Sequence, residues 1–331
     1  MNRSTLSRRL FLSCAGAAVI GAAWPPKSSF AQGAKEVRIA YGSTVAWAVD
    51  VIAIEEKLYE KAGLRVRVRP LESGKAIRDA MVAGAVDIGP MAATPFVIGA
   101  AKSDLVGVVV TSYFGSINLV QVRYDSPIQN VKDLRGKKVG TQVGSLTHSV
   151  LVEKLAPAYG LKPGNYEIIN IGNNGLVPAL VAGTVDAVTS LEPYAGMAEH
   201  EKIARTLTDF APFDLMPTLL VVRGSYLDQN EAEVVGVLKA WLAAEKVFHT
   251  DRARTVAIVR RKYETQGYAI PPTVLARALE RLRVQPDITG ELRVYLSEQA
   301  ETLRRAGTIS QLPDWNRSLR PDLLRKARGQ L

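Results

Sequence analysis

The chain has 331 residues, with 42 Lys and Arg against 32 Asp and Glu, a formal net charge of +10 and one cysteine. That length suits about two ordinary domains, and 47% of the residues are apolar, enough to build real cores. The basic residues are scattered, which argues against a nucleic-acid stripe, and nothing after residue 31 approaches the run of about 18 apolar residues that a membrane span needs.

Residues 1–31 read as an export signal: a basic start, an apolar run over Leu10–Ala23, and small residues before an expected cut after Ala31. "SRRLFL" at Ser7–Leu12 resembles the twin-arginine signature, with Lys27 near the cut, and the general secretory route stays open. Removal takes Arg3, Arg8, Arg9 and Lys27 and no acid, leaving 38 bases against 32 acids, a net +6. Cys14 leaves with the signal, so the mature chain is expected to have no thiol, disulfide or cysteine-ligated metal.

"EVRIAYG" (Glu36–Gly42) predicts a strand, and "STVAWAVDVIAIEEKLYEKAGL" a helix capped by Ser43 or Thr44 and stopped by Gly63. "RVRVRPL" alternates as a strand does. "SGKAIRDAMVAG" predicts a helix from the N-cap Ser73 to Gly84, and "AVDIG" a third strand. From Lys137 the same five elements return: "KKVGTQVGS", "LTHSVLVEKLAPAYGL", "NYEIINI", "NNGLVPALVAG" and "TVDAVTS". Gly42-Ser43 answers to Gly144-Ser145, Gly63-Leu64 to Gly160-Leu161, and Gly84 to Gly183, at offsets of 97 to 102 residues.

This is β-α-β-α-β grammar written twice, so the expected fold is α/β: two similar lobes, each a parallel sheet with helices on its faces. "NLVQVRYDSPI" (Asn118–Ile128) and "TLLVVRGSYL" (Thr218–Leu227) flank the second copy and are the candidate crossings of a two-strand hinge. Lobe 1 is then expected over 35–124 plus 224–331, which carries the C-terminal helices, and lobe 2 over 125–223. In the tail, Asp228 and Glu231 form a capping-box-like pair, Trp241 reads as core, helices follow near 272–283 and 288–306, and "LPDW" near Trp315 reads as a turn.

No catalytic constellation appears. His148, His200 and His249 lack metal-ligand spacing, and there is no HExxH, CxxC, GxSxG, Walker loop or GxGxxG. The expectation is therefore a binding protein, with no enzyme activity, cofactor or metal. Binding in open α/β sheets falls at the carboxyl ends of the strands, where helix N-termini present unpaired N–H groups.

In "GSTVAW", Ser43 and Thr44 either cap the helix or donate to a ligand, and Trp47 is either a cleft wall or core. In "GPMAATPF", Thr94 and the N–H groups around Ala93 are candidates to grip the ligand, with Pro95 in the first helical turn. In "VGSLTHS", the Gly-Ser turn opening a helix is an anion seat, with Ser145 and Thr147 as extra donors; His148 adds a ring N–H or is structural. In "SLEPYA", Glu192 and Tyr194 either edge the cleft, bridge the lobes or pair locally.

"DSPIQNVKDLRGKKVGTQVGSLTHSVLVEKL" followed by "ALVAGTVDAVTSLEPYAGMAE" resembles the solute-binding proteins of ABC importers for aliphatic sulfonates, taurine and nitrate. The wider group includes binders of thiamine-pyrimidine precursors. "AMVAGAVDIG…TP" is similar to the first lobe of the same family. The resemblance covers about residues 36–250. It implies a type II periplasmic-binding fold, closure over a small ligand outside the cytoplasm, and delivery by a monomer to a permease and its ATPase. Thr94, Ser145, His148 and Tyr194 are the positions it carries over. Ser190 and Glu192 stand where sulfonate binders commonly have Trp and Asp, leaving room for a larger, less polar ligand. A thiamine-pyrimidine binder, or an enzyme on the same scaffold, is the alternative.

Overall fold

The computed structural model describes residues 36–42 and 44–330. The export-signal expectation, Cys14 and Ser43 lie outside the described residues. Ten strands form two five-stranded sheets. The first holds β1 (Val37–Tyr41), β2 (Val66–Pro70), β3 (Ile88–Ala92), β4 (Leu105–Tyr113) and β10 (Pro217–Arg223). The second holds β5 (Asn118–Arg123), β6 (Lys138–Thr141), β7 (Glu167–Asn170), β8 (Ala187–Leu191) and β9 (Ala204–Asp209).

The two sheets are built on one plan. Their orders are β2-β1-β3-β10-β4 and β7-β6-β8-β5-β9. Each has three neighbouring parallel strands from its own β-α-β-α-β copy. Next to these lies one antiparallel strand, β10 in the first sheet and β5 in the second, paired on both sides. The all-parallel expectation is thus corrected at one position per sheet. A strand that arrives from the opposite lobe enters from the far end and runs against its neighbours.

The strand-like cores of the two apolar segments expected at the crossings, Asn118–Arg123 and Thr218–Arg223, are those antiparallel strands, each inside a sheet, while 124–128 is turn and Gly224–Leu227 is helical. The chain changes sheet before them, over 114–117 and 210–216. β5 therefore lies with the second lobe and β10 with the first, whereas a division at 124 and 224 assigns each to the other. Their sequences explain it: "NLVQV" and "TLLVV" are buried throughout, which a solvent-crossing linker cannot be.

Helix ends repeat as closely as strands. The helices Gly74–Val82 and Leu176–Val181 are each followed, after one intervening residue, by Gly84 and Gly183, and both glycines have φ +71. That left-handed conformation lets the chain turn into the next strand without a Cβ penalty. The long helix Glu231–Thr250 buries Trp241 completely, as expected. The Asp228–Glu231 capping pair does not form: Asn230 stands at the N-cap, and Glu231 instead binds Lys326 at 2.6 Å and Arg320 at 3.1 Å.

The C-terminal helices serve both lobes. Arg252–Thr265 is tied to the first lobe by Lys262–Glu55 (3.0 Å) and Arg254–Glu56 (2.6 Å). Pro272–Arg281 reaches the second through Arg277–Glu199 (3.2 Å) and Arg281–Asp209 (3.3 Å). Among the described residues, no helix is long and apolar enough to cross a membrane.

Candidate functional site

A cleft between the lobes is lined from the carboxyl end of every parallel strand. After β1 come Thr44, Ala46 and Trp47, after β2 Ser73 to Lys75, and at and just beyond the end of β3 Ala92 and Pro95. The second lobe adds Gln142 and Ser145 to Thr147 after β6, Asn173 after β7 and Leu191 after β8. Phe114, at the first crossing, also lines it. The helices Gly74–Val82, Ala93–Lys102 and Leu146–Val150 all begin at these turns, where first-turn N–H groups lack intrahelical partners, although Ser73 and Ser145 each accept one, from Ala76 N and His148 N. Lys75 is a cation at the rim, 3.4 Å from Asp79, and no carboxylate lines the cleft among the described residues.

The lobes are closed on one another. Gln142 Nε2 donates to Ser73 Oγ (3.2 Å), Thr94 Oγ1 to Ser149 Oγ (3.5 Å), and Val45 N to the Glu192 carbonyl (3.4 Å). All three cross between lobes. The remaining free volume is about 50 Å³. It holds a few waters at roughly 10–15 Å³ of probe volume each, so a compact group such as a sulfonate or carboxylate head fits.

Trp47 is cleft wall. It is 6% exposed, and its indole N–H is buried with no hydrogen-bond partner. Gly42 makes room for the ring: a Cβ there would lie 1.5 Å from Trp47 Cζ3. An unmet buried donor costs about 1–3 kcal/mol, a cost that a ligand acceptor in the cleft would remove. Thr44 stands at the N-cap position of the turn Val45–Trp47 without a side-chain capping bond, and it lines the cleft. Ser145 does cap: its Oγ accepts from His148 N at 3.1 Å, leaving its hydroxyl proton to donate. Thr147 lines the cleft, but its proton goes to Asn118 Oδ1 at 3.0 Å, so it offers lone pairs, not the expected donor.

The other expected residues lie elsewhere. Ala93 is fully buried as the first residue of its helix, and Ala92 takes the lining position. Thr94 is buried between Ser149 and Gln299, whose Nε2 donates to it at 3.3 Å. His148 is half-buried and outside the cleft lining; burial pushes its pKa down, which favours the neutral ring. Glu192 is fully buried away from the cleft lining: Oε2 accepts from Gly196 N (2.9 Å), and Oε1 lies 3.8 Å from Arg281. Burial outweighs these partners and raises its pKa. Tyr194 lines a separate cavity, edge-on to Tyr268 at 5.3 Å and Tyr263 at 6.2 Å. Ser73, Lys75, Gln142 and Asn173 line the cleft without standing among the binding candidates of the sequence. Ser73 and Asn173 follow the second strand of each copy, so the repeat itself marks those turns.

A model of the NMT1/THI5-like family matches residues 46–251. The chain belongs to that family. Among its relatives, a protein of Escherichia coli (strain K12) named for binding aliphatic sulfonates is 28% identical over 70% of this chain and 71% of its own length. The taurine-binding periplasmic protein of the same organism is 27% identical over 66% and 68%. In structure, the chain is similar to the alkanesulfonate-binding protein SsuA of Xanthomonas axonopodis pv. citri bound to MOPS. The TM-score is 0.77 at 21% identity, over 86% of this chain and 98% of that one. The fold is accordingly the type II periplasmic-binding fold that the resemblance implied, built on the two α/β lobes that the repeated grammar gave.

Proposed function

We propose that this chain is the solute-binding component of an ABC importer, capturing one small anionic ligand between its lobes and handing it to a membrane permease. It is a binding protein and not an enzyme, like the relatives above. The observation that carries the ligand class is the cleft itself. Helix N-termini of both lobes meet there beside Lys75, without a lining carboxylate among the described residues, and around the unpartnered Trp47 N–H. Helix N-termini favour anions through their free N–H groups and partial positive charge. Relatives named for sulfonate and taurine binding share that chemistry of an anionic head group.

In this reading Thr44, Trp47 and Ser145 meet the ligand directly, joined by Ser73 and Gln142. Thr94 and Glu192 hold the closed pair of lobes from behind the cleft, and Ala93 and His148 shape the helix starts. The protein works as a monomer in the periplasm, exported by residues 1–31 through the twin-arginine route, and its permease is driven by an ATPase. The lobes divide at the crossings 114–117 and 210–216.

The test is small-angle scattering and thermal shift of the mature chain with alkanesulfonates, nitrate and carboxylates. Compaction and a raised Tm with at least one anion are expected; no response to any of them rejects the reading. Ser145→Trp should abolish the response, at a stability cost of about 1 kcal/mol for the lost cap.

A further inference from the structure

Asn173 lines both the cleft and a second pocket of about 460 Å³. Val177, Pro178, Met197 and Tyr194 form its wall on the second lobe. Tyr268, 40% exposed, adds wall from the loop 266–271, between the helices Arg252–Thr265 and Pro272–Arg281. That loop follows the helix held to the first lobe by Lys262–Glu55. The cavity, like the cleft, therefore takes walls from both sides of the closure.

We infer that the ligand is an aryl anion: its charged head fills the cleft and its aromatic tail passes Asn173 into this pocket. The inference rests on the proposed anion cleft and goes further by assigning the tail. Volumes motivate it. Small-molecule sites are usually about 300–1,000 Å³; the cleft alone, at about 50 Å³, falls short, and the cavity at about 460 Å³ does not. Wall chemistry selects the tail. Tyr194 and Tyr268, with centroids 5.3 Å apart at 69°, offer edges and faces to an aromatic ring. Met197 adapts to irregular apolar shapes. Glu201, exposed at the rim, repels a second negative charge, so the tail is uncharged. Tyr194 thus acquires a role distinct from the head-group contacts.

Calorimetry on the mature full chain tests this with methanesulfonate, propane-1-sulfonate, benzenesulfonate and naphthalene-2-sulfonate, and with acetate and 2-naphthoate as matched carboxylates. With the head group that binds, the naphthyl compound should bind at least tenfold tighter than the methyl compound. Val177→Trp and Met197→Phe, which fill the cavity from different positions, should each remove most of that gain while changing methyl-compound affinity less than twofold. Variant Tm values show that both fold. If short anions bind but aryl anions bind no tighter, or if neither filling variant reduces the gain, the tail assignment is overturned and the cleft reading stands. If no anion of any length binds, both fall together.

Discussion

Asp87 and Asp186 occupy the same place in the two lobes, and their surroundings have almost nothing else in common. Each accepts a backbone N–H from the first strand of its copy: Arg38 N to Asp87 at 3.1 Å, Lys138 N to Asp186 at 2.8 Å. Each also donates its own N–H to the carbonyl of that same residue, at 2.9 and 2.8 Å, and there the likeness stops. Asp87 is 1% exposed and bound by two guanidiniums, Arg38 at 2.6–2.8 Å and Arg223 at 2.6 Å. Asp186 is exposed with no ion pair among the described residues, and Arg123, at the end of the matching antiparallel strand, turns to Asp125 instead. One repeated backbone device is thus a buried ionic knot joining three strands in the first lobe and a surface turn in the second. A repeat reproduces hydrogen-bond geometry readily; burial and pairing depend on what the rest of the chain brings.

Asp87→Ala should show the largest effect, about 3–5 kcal/mol in chemical denaturation, because it leaves two guanidiniums without their anion. The loss should shrink as pH falls. Burial opposes ionisation of Asp87, but hydrogen bonds from Arg38 and Arg223 prevail and hold its pKa below the ordinary Asp value. Its stabilisation is therefore present above about pH 4 and disappears below it. A penalty equal to that of Asp186→Ala would break the contrast.

Asp50 sharpens it from within the first lobe. It is fully buried with Oδ2 unpartnered, and burial raises its pKa to about 7. The folded state then holds a proton that the unfolded state releases, so stability falls as pH rises from about 4 to 7. Across that window the fall amounts to about 4 kcal/mol. Asp50→Asn should remove that decline, so variant and wild type diverge as pH rises. Parallel curves would show that Asp50 is solvated.

Smaller effects follow. Trp47→Phe should weaken ligand binding by about 1–3 kcal/mol while leaving the apo protein no less stable, since it deletes a donor with no partner. Asp186→Ala should cost about 0.5–1.5 kcal/mol, one hydrogen bond at the surface. Gly84→Ala and Gly183→Ala should cost nearly the same, about 1 kcal/mol each, because both residues have φ +71. Unequal losses at the glycines would mean that the lobes differ in backbone as well as in partners.

Local physics makes the two lobes legible in the order of the amino acids. Helix stops at Gly84 and Gly183, the period-two strand "RVRVR" and the Gly-Ser turn at Ser145 depend on near neighbours, and near neighbours are written in order. The long-range choices are not. Thr94 is claimed by Gln299, 205 residues away, and Glu192 is drawn toward Arg281. β5 and β10 exchange lobes because only the assembled sheets provide a slot with strands on both sides. The sequence by itself determined that there are two α/β lobes and which turns end their strands. Only the tertiary structure decided which residues of those turns line the cleft, because a side chain's partners are set by burial and by groups arriving from distant segments.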